Sequence, residues 1–333
     1  MNPPKLRIAI AGCGNAARIH LDRLLARDEV SVVACADPDV DAARELAARA
    51  TERVKSLTVA AFSDHREMLH SLEPDALAVF TPHLSHYRLA MDALQAGCHV
   101  FIEKPLSTNV QEAADIVGLA RGRNRKVGVG HQFRLCPSLI EVRRRLATGV
   151  IGQVRLVTAV LSRPWLATLG QEESTWRFDP KVAGGGILAD AGDHLIDTLI
   201  WTTGQPAREV GAIQSEWDPG IDLVTAAAVR LADGTPVALA ISGISPRSLF
   251  SIEYLGELGR LIVTDTTLEE ERLDTPRHSV VLPESRETID GNFVAALTRD
   301  EPLCCPADQA MDTVRLLEAI SRSASTGQIV RIL

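Results

Sequence analysis

The first third of the chain alternates short runs of β-branched residues with longer segments of helical periodicity. This alternation is typical of a parallel sheet whose strands are joined by crossover helices. Strands are predicted at 6–11, 30–36, 76–80, 99–102 and 126–129, with a weaker strand at 58–60. Helices are predicted at 16–26, 40–51, 85–96 and 109–121, the last opened by a capping box of Thr108 and Gln111. These elements together predict a doubly wound α/β domain.

The rest of the chain has a different pattern. After a predicted helix at 137–148, strand-like runs follow at 154–161, 223–231, 237–243, 249–255 and 260–264, and residues 232–235 form a hairpin turn. Strands without intervening helices predict a mostly antiparallel sheet. Because 333 residues suit two domains, we assign 1–128 to a Rossmann domain and 129–333 to a second α/β domain. The helical patterns at 293–298 and 307–326 are expected to pack on one of the two.

Composition argues against several kinds of partner. A net charge of −8 disfavours nucleic acid, because phosphate binding needs a positive surface field. The arginine clusters at 121–126 and 143–145 are therefore interpreted as solvated helix charges. The six cysteines form no C-x-x-C pair, so neither a metal site nor a disulfide framework is predicted. Residues 1–10 indicate a strand and not a signal peptide, and no membrane span is predicted. We expect a soluble, cytoplasmic protein.

A glycine-rich turn, residues 12–17, follows the first predicted strand and opens the first predicted helix, where it matches G-x-G-x-x-A. In this motif Gly12 makes the tight turn, Gly14 lets the backbone approach a pyrophosphate, and the small Ala17 permits close helix packing. The N–H groups at Asn15 and Ala16, at the positive end of the helix dipole, suit the phosphates. Glycine turns also occur for structural reasons alone, but this one has the strand and helix that dinucleotide binding requires.

Asp37 ends the second predicted strand, twenty residues after Ala17. An acidic residue at this place accepts hydrogen bonds from the adenosine ribose hydroxyls of a dinucleotide. Asp37 and Asp39 also put negative charge where a 2′-phosphate would lie, and no arginine follows immediately. NAD is therefore favoured over NADP. The structural alternative is that either aspartate serves as the N-cap of the next helix.

Two further polar segments follow strands of the predicted parallel sheet. Thr81-Pro82 comes after the fourth strand and Glu103-Lys104-Pro105 after the fifth. Since ligands bind beyond the carboxyl ends of such strands, these residues should border the same crevice as Gly12 and Asp37. Lys104 is one of five lysines in the chain, and its place at a strand end favours a functional role. A surface ion pair with Glu103 is the alternative.

The second domain contains a triple glycine, Gly184 to Gly186, that leads into a largely apolar helical segment. On that helix Asp190 and His194 lie one turn apart, and Asp197 and Trp201 extend the same face. A carboxylate one turn before a histidine can orient the imidazole and stabilise its charged form, as a general base requires. A helical histidine is more often structural, but the triple glycine and the polar stripe favour a catalytic one.

At this point the sequence resembles the Gfo/Idh/MocA oxidoreductases over essentially its whole length. The resemblance rests on four features in order: G-x-G-x-x-A with His20 downstream, Asp37 after the second strand, Glu103-Lys104-Pro105 after the fifth, and G-G-G-x-L-x-D-x-G-x-H at 184–194. The glycine motif is shared with many dinucleotide enzymes, whereas the last two features together are far more specific.

The resemblance implies a Rossmann domain followed by an α/β domain with an open-faced, mostly antiparallel sheet that usually serves dimerisation or tetramerisation. It implies that Lys104 hydrogen-bonds the reacting oxygen, that Asp190 holds substrate and orients His194, and that His194 is the general acid/base. Residues that match the family's cofactor segments are Thr81, Pro82, His86, Glu103, Trp176 and Arg177. The end of the chain at 323–327 also resembles the family.

The sequence departs from the family pattern in three places. Asp193 occupies a position that is normally small or apolar, and adds a charge beside the predicted base. Residues 131–134, His-Gln-Phe-Arg, stand where many members carry an Asn-Arg-Arg-Phe-like run, and Gln132 and Arg134 are the predicted substrate contacts there. The stretch 163–181 has no simple pattern and is interpreted as a substrate-shaping loop.

The leading hypothesis is oxidation of a secondary hydroxyl of a sugar, inositol or related polyol, with hydride passing to NAD. A second hypothesis keeps NAD bound through a transient 3-keto sugar, as some relatives act as glycosidases or epimerising enzymes. A third is a non-catalytic dinucleotide-binding regulator, against which the retention of Lys104 and His194 argues. Substrate, stereochemistry, reaction direction and oligomer number stay open.

Overall fold

The computed structural model describes residues 4–54, 58–169, 175–285 and 287–332. The chain divides into two compact units. The first comprises the residues up to Ser107, Gln111–Gly130 and Glu287–Gln309, and the second comprises Thr108–Val110, His131–Arg286 and Ala310–Leu333. The predicted boundary between residues 128 and 129 stays a prediction. The structure adds that the segment 287–309, late in the chain, is grouped with the first unit.

The first unit contains a six-stranded, all-parallel sheet with strand order β3-β2-β1-β4-β5-β6. Its strands are β1 Leu6–Ala11, β2 Val30–Ala36, β3 Ala60–Phe62, β4 Ala76–Val79, β5 His99–Ile102 and β6 Val127–Val129. Its helices are α1 Asn15–Leu25, α2 Val40–Arg53, α3 His65–Leu72, α4 His86–Gln95, α5 Val110–Gly122, which begins in the second unit, and α10 Ile289–Thr298. The predicted doubly wound sheet is confirmed.

The strands of this sheet form where the chain is mostly apolar, because both faces of a parallel sheet are covered by helices. β4 and the core of β1 are buried at every residue. Short-range capping starts several helices: Asp39 accepts from the N–H groups of Asp41 and Ala42 at α2, and Asp64 caps α3 in the same way. Helix α3 is missing from the sequence prediction because it has only eight residues.

The second unit contains a nine-stranded, mostly antiparallel sheet with strand order β14-β13-β12-β11-β7-β10-β9-β8-β15, in which only the β7–β10 pair is parallel. Its strands are β7 Val154–Ser162, β8 Ala207–Asp218, β9 Ile221–Leu231, β10 Pro236–Ser242, β11 Leu249–Gly256, β12 Gly259–Val263, β13 Leu268–Arg272, β14 Thr275–Ser279 and β15 Val330–Arg331. Its helices are α6 Pro137–Ala147, α7 Trp165–Leu169, α8 Pro180–Ala183, α9 Asp193–Thr203 and most of α11 Ala307–Thr326.

Along the central strands of this sheet, buried and exposed residues alternate, as expected where one face is covered. The covered face packs in a continuous core that includes residues from α6, α9 and α11. The predicted hairpin joins β9 and β10, with Gly234 at φ +92° in its turn. Strands β8, β13 and β14 were not predicted, because charged side chains interrupt their apolar alternation.

Among the described residues, no helix combines the length and apolar character that a membrane crossing needs.

Candidate functional site

The turn after β1 is built for close contact between neighbouring strand ends. Gly12 has φ +85°, and a Cβ at this residue would lie 2.7 Å from the carbonyl carbon and oxygen of Phe80. The N–H of Gly12 donates to the carbonyl of Ala36 at 2.9 Å. A side chain at Gly12 would therefore push apart β1 and the loop that leaves β4, which is the physical reason for glycine here.

The start of α1 presents its backbone to open space. The N-cap, Gly14, provides no side-chain hydrogen bond, and the first turn has no acidic residue. A Cβ on Gly14 would meet no atom within 4 Å, and Asn15 and Ala16 are exposed. Free N–H groups at the positive end of a helix dipole, with clear space above them, fit the pyrophosphate of a dinucleotide.

Asp37 and Asp39 have separate tasks. Asp39 is the N-cap of α2. Asp37 accepts from the N–H of Cys13 with one oxygen and from the N–H of Asp39 with the other, both at 2.9 Å. The N-cap role considered for either aspartate is therefore filled by Asp39. Asp37, just after β2, stabilises the glycine turn and has a partly exposed carboxylate.

The loop after β4 holds a buried polar atom that fits a ligand contact. The hydroxyl oxygen of Thr81 is buried and has no hydrogen-bond partner among the described residues. A buried hydroxyl of this kind is costly unless something satisfies it. Because Thr81 and Pro82 follow β4, they lie at the carboxyl end of the parallel sheet, as do Gly12 and Asp37.

His86 lies in a different place from the one expected of a cofactor contact. Its side chain is fully buried, and its two ring nitrogens lie 2.7 Å from the carbonyl oxygen of Pro105 and 2.8 Å from that of Thr81. Burial lowers the pKa of His86 despite these two carbonyls. His86 therefore links the loops after β4 and β5, and this burial is at odds with direct contact to a cofactor.

Glu103, at the end of β5, is held by a buried histidine. Its Oε1 lies 3.0 Å from His20 Nε2, and its Oε2 accepts from the N–H of Lys104 at 3.1 Å. Burial would raise the pKa of Glu103, but the hydrogen bond and charge of His20, the charge of Lys104 and the Lys104 N–H together outweigh it, so the pKa lies below its usual value. Glu103 is thus part of an internal network, unlike the surface ion pair considered from sequence.

In the second unit, Asp222 organises the triple glycine. Its carboxylate accepts from the N–H groups of Gly186 and Leu188, both at 2.8 Å. A Cβ at Gly186 would lie 2.0 Å from the carbonyl oxygen of Asp222, so only glycine fits. Sequence reasoning missed Asp222 because it follows the glycines by more than thirty residues and carries no local signal.

The segment Leu188–Gly192 forms a π-helical turn that runs into α9. Such turns often occur at functional sites. Asp190 lies in this turn, accepts from the indole N–H of Trp165 at 2.8 Å and pairs with Arg177 at 3.2 Å. Arg177 also covers the ring of Trp176 at 4.5 Å. Residues 170–174 of the predicted substrate-shaping loop lie outside the described residues.

His194, in the first turn of α9, is held between aromatic rings. Its ring stacks on Phe133 with centroids 4.9 Å apart and meets the ring of His131 edge-on at 6.2 Å. The side chain is largely buried, with 8% of the residue exposed. Neither Phe133 nor Trp165 was identified as a site residue from sequence, because an aromatic residue in a loop has many structural uses.

A buried charge network lies beside His194. Asp193 Oδ1 is 2.5 Å from His131 Nε2, and its Oδ2 is buried without a hydrogen-bond partner in the described part of the chain. Asp197 binds the guanidinium of Arg134 through both oxygens, at 2.7 and 3.0 Å, and accepts from Thr313. Burial would raise the pKa of Asp197, but His131 and Arg134 lower it below its usual value.

This network bears on what the sequence predicted for Asp193 and Arg134. Asp193 does add a charge next to His194, but its carboxylate is turned to His131 and buried. Arg134 is also buried and engaged by Asp197, an arrangement at odds with the predicted substrate contact. Gln132 is exposed and stays available as a contact residue.

Comparison with known proteins gives two family matches. Residues 6–131 match a model described as an oxidoreductase family with an NAD-binding Rossmann fold, GFO_IDH_MocA, and residues 139–262 match the GFO/IDH/MocA C-terminal domain. The chain is 25% identical to D-glucoside 3-dehydrogenase of Escherichia coli K12, covering 100% of this chain and 99% of that protein.

The chain is also similar to a second dehydrogenase and to a solved structure. Levoglucosan dehydrogenase of Pseudarthrobacter phenanthrenivorans is 28% identical over 47% of this chain and 40% of its own length. The structure of an inositol dehydrogenase homologue from Azotobacter vinelandii, complexed with NAD⁺, superposes with a TM-score of 0.85 at 21% identity, covering 98% of this chain and 97% of that chain. The last likeness confirms the predicted fold class.

Proposed function

The chain belongs to the Gfo/Idh/MocA family of NAD-binding oxidoreductases, and on that premise we propose that it transfers hydride between NAD and a secondary hydroxyl of a sugar or polyol. The observation that carries the proposal is the set of groups at the carboxyl ends of the parallel strands. They are the uncapped start of α1, the carboxylate of Asp37, the buried hydroxyl of Thr81 and the supported turn of Glu103 and Lys104.

The first unit supplies the groups that would hold the cofactor. The N–H groups at the start of α1 receive the pyrophosphate, and the carboxylate of Asp37 accepts from the adenosine ribose hydroxyls. Asp37 already fixes the N–H of Cys13, so ribose recognition and the shape of the glycine turn are coupled through one side chain. Bound NAD supplies the hydride acceptor at its nicotinamide ring.

The proton and the substrate oxygen are handled by side chains of this chain. Lys104 donates a hydrogen bond to the reacting oxygen and stabilises the negative charge that develops on it. His194 takes the hydroxyl proton on its imidazole, and Asp190, held by Trp165 and Arg177, positions the substrate. Reduction of the ketone is the reverse, in which His194 returns the proton.

The names of two relatives support the proposed substrate class. D-glucoside 3-dehydrogenase matches along almost the whole chain, and levoglucosan dehydrogenase is named for an anhydro sugar. Both names support a pyranose ring as the substrate. A hydroxyl on such a ring is a secondary alcohol, in agreement with the chemistry assigned to Lys104 and His194.

The test is to purify the protein, denature a portion to ask whether NAD co-purifies, and follow NADH absorbance with added NAD. The compounds tested are methyl glucosides, levoglucosan, glucose and inositols. Steady NADH formation with one compound supports the proposal. Bound NAD with product release but no net NADH would replace it with the redox-neutral mechanism, and binding of NAD without any turnover would favour a regulator.

Replacing Asp37 by alanine should raise the Kd for NAD by about 10- to 100-fold, because hydrogen bonds to a charged carboxylate are lost. The Kd for NADP should change little, so the preference for NAD collapses. Titration of both cofactors by tryptophan fluorescence measures this. Asp39→Ala is the matched control, which removes the α2 cap but leaves the ribose acceptor in place, so the Kd for NAD should stay close to that of the unmodified protein. Tighter binding of NADP to the unmodified protein would contradict the assignment.

We also propose that the uncovered face of the nine-stranded sheet joins two copies of the chain. On this face Ala226 lies opposite Ala240 and Ala228 lies opposite Ala238, and all four are exposed. Ile213, paired with Ala226, is 77% exposed. A flat area of small apolar side chains at the centre of a sheet is typical of an interface.

Ala238→Arg should convert the oligomer to a monomer, because it places an unpaired charge in the centre of this face. Sedimentation equilibrium measures the mass. Glu209→Arg changes a residue that is already charged, on β8 next to the short edge strand β15, and is the control that should leave the oligomer intact. A monomeric unmodified protein would overturn the proposal.

A further inference from the structure

We propose that His20 is a positioning residue for Lys104, acting through a chain of side chains that runs Asp290–His20–Glu103. The inference rests on the role proposed above for Lys104. All of these residues belong to the first unit, although α10, which carries Asp290, lies 270 positions along the chain from His20.

His20 bridges two carboxylates. Its Nδ1 lies 2.6 Å from Asp290 Oδ1 and its Nε2 lies 3.0 Å from Glu103 Oε1. Each contact needs a proton on the nitrogen, since a carboxylate only accepts, so both bonds form together only when the ring is an imidazolium. Side-chain exposure is 7% for His20 and 1% for Asp290, so water cannot replace either partner easily.

The charge of this cluster is nearly balanced. The groups that face His20 are Asp290 and Glu103, and Asp290 in turn faces the partly exposed guanidinium of Arg23 at 3.4 Å. Burial would lower the pKa of His20, but the two carboxylates raise it to about 9. The imidazolium therefore persists at neutral pH and is lost only as the pH rises through that value.

Aromatic packing also holds the ring of His20. His20 stacks on Phe80 with centroids 4.4 Å apart and planes inclined by 19°, and Phe101 lies 5.5 Å away. Phe80 directly follows β4, and its carbonyl lies against Gly12, so the ring of His20 packs on a residue that adjoins the glycine turn.

The connection to Lys104 passes through Glu103. One carboxylate oxygen is bound by His20, and the other accepts from the backbone N–H of Lys104 at 3.1 Å. Glu103 also packs closely on Gly130, where a Cβ would lie 2.6 Å from Oε1, the oxygen that His20 binds. The two hydrogen bonds hold the Glu103 carboxylate in place, and the second of them fixes the backbone from which the Lys104 side chain extends. Displacement of a reacting group by about 1 Å can cost about 100-fold in rate.

The test is a double-mutant cycle on kcat with NAD and the sugar that turns over fastest in the screen above. His20→Asn removes the donor to Glu103, and we expect kcat to fall by about 10- to 100-fold while the KM for NAD stays near its original value. His20→Gln, whose amide can reach Glu103, should recover part of the loss. His65→Asn is the control, since it removes a comparable histidine–carboxylate contact, with Asp92, elsewhere in the same unit.

If His20 acts through Lys104, replacing His20 should have little further effect on kcat in a protein that already lacks Lys104. H20N should therefore lower kcat in the unmodified protein but not in a Lys104→Ala background. An equal factor in both backgrounds, or unchanged kcat in H20N alone, would overturn the inference. Normal turnover of K104A itself would instead overturn the proposed role of Lys104. If H20N fails to fold, judged by thermal melting and NAD titration, Glu103→Gln takes its place in the double-mutant cycle. The same changes in kcat would support or overturn the inference.

Discussion

Lys104→Ala is expected to lower kcat by about two to four powers of ten, because it removes the group that stabilises charge on the reacting oxygen. The Kd for NAD, titrated separately, should change far less than kcat, since the phosphate and ribose contacts of α1 and Asp37 are untouched. Steady-state kinetics with the substrate identified in the screen, together with the fluorescence titration, separates the two effects.

The matched control is Lys126→Ala. Lys126 is a lysine of the same unit, but it donates to the carbonyl of Ala296 and to Asp300, away from the carboxyl ends of the strands. Its loss should affect stability and leave kcat close to that of the unmodified protein. Near-normal turnover of the Lys104 variant would remove this residue from the mechanism.

Asp197→Ala is expected to lower the free energy of unfolding by about 3–5 kcal/mol, the cost of removing one partner from a buried ion pair. Asp197 is fully enclosed, and its loss leaves the guanidinium of Arg134 and the ring of His131 without their shared carboxylate. Urea unfolding followed by circular dichroism measures the change, with the second unit observed through its tryptophans.

Asp41→Ala is the control for this measurement. Asp41 also pairs with an arginine, Arg44, but both side chains are mostly exposed, so the change should stay within about 1 kcal/mol. Because the folded state lowers the pKa of Asp197, its contribution is present above the ordinary carboxyl pKa and is lost as the pH falls below it. Equal destabilisation by the two variants would contradict the buried-pair account.

The amino-acid sequence alone determined the parallel sheet. Its strands are largely buried and appear as short, mostly apolar runs, so β1, β2 and β5 were predicted at their observed bounds. The glycine turn and Asp37 could also be found, because a turn, a strand end and a helix start are set by a few consecutive residues. The same holds for the helical segment with Asp190 and His194, which follows its three glycines directly.

Only the tertiary structure decided which side chains share these local features. It showed that Asp39 is the N-cap of α2 and that Asp37 binds the N–H of Cys13 in the glycine turn. It buried Arg134 against Asp197, and it brought Asp290 to His20 from 270 positions away. Periodicity and capping are short-range effects that leave a pattern in neighbouring residues. A buried ion pair depends on which elements the topology places together. Its two residues can be any distance apart in the sequence, so their spacing does not indicate that they interact.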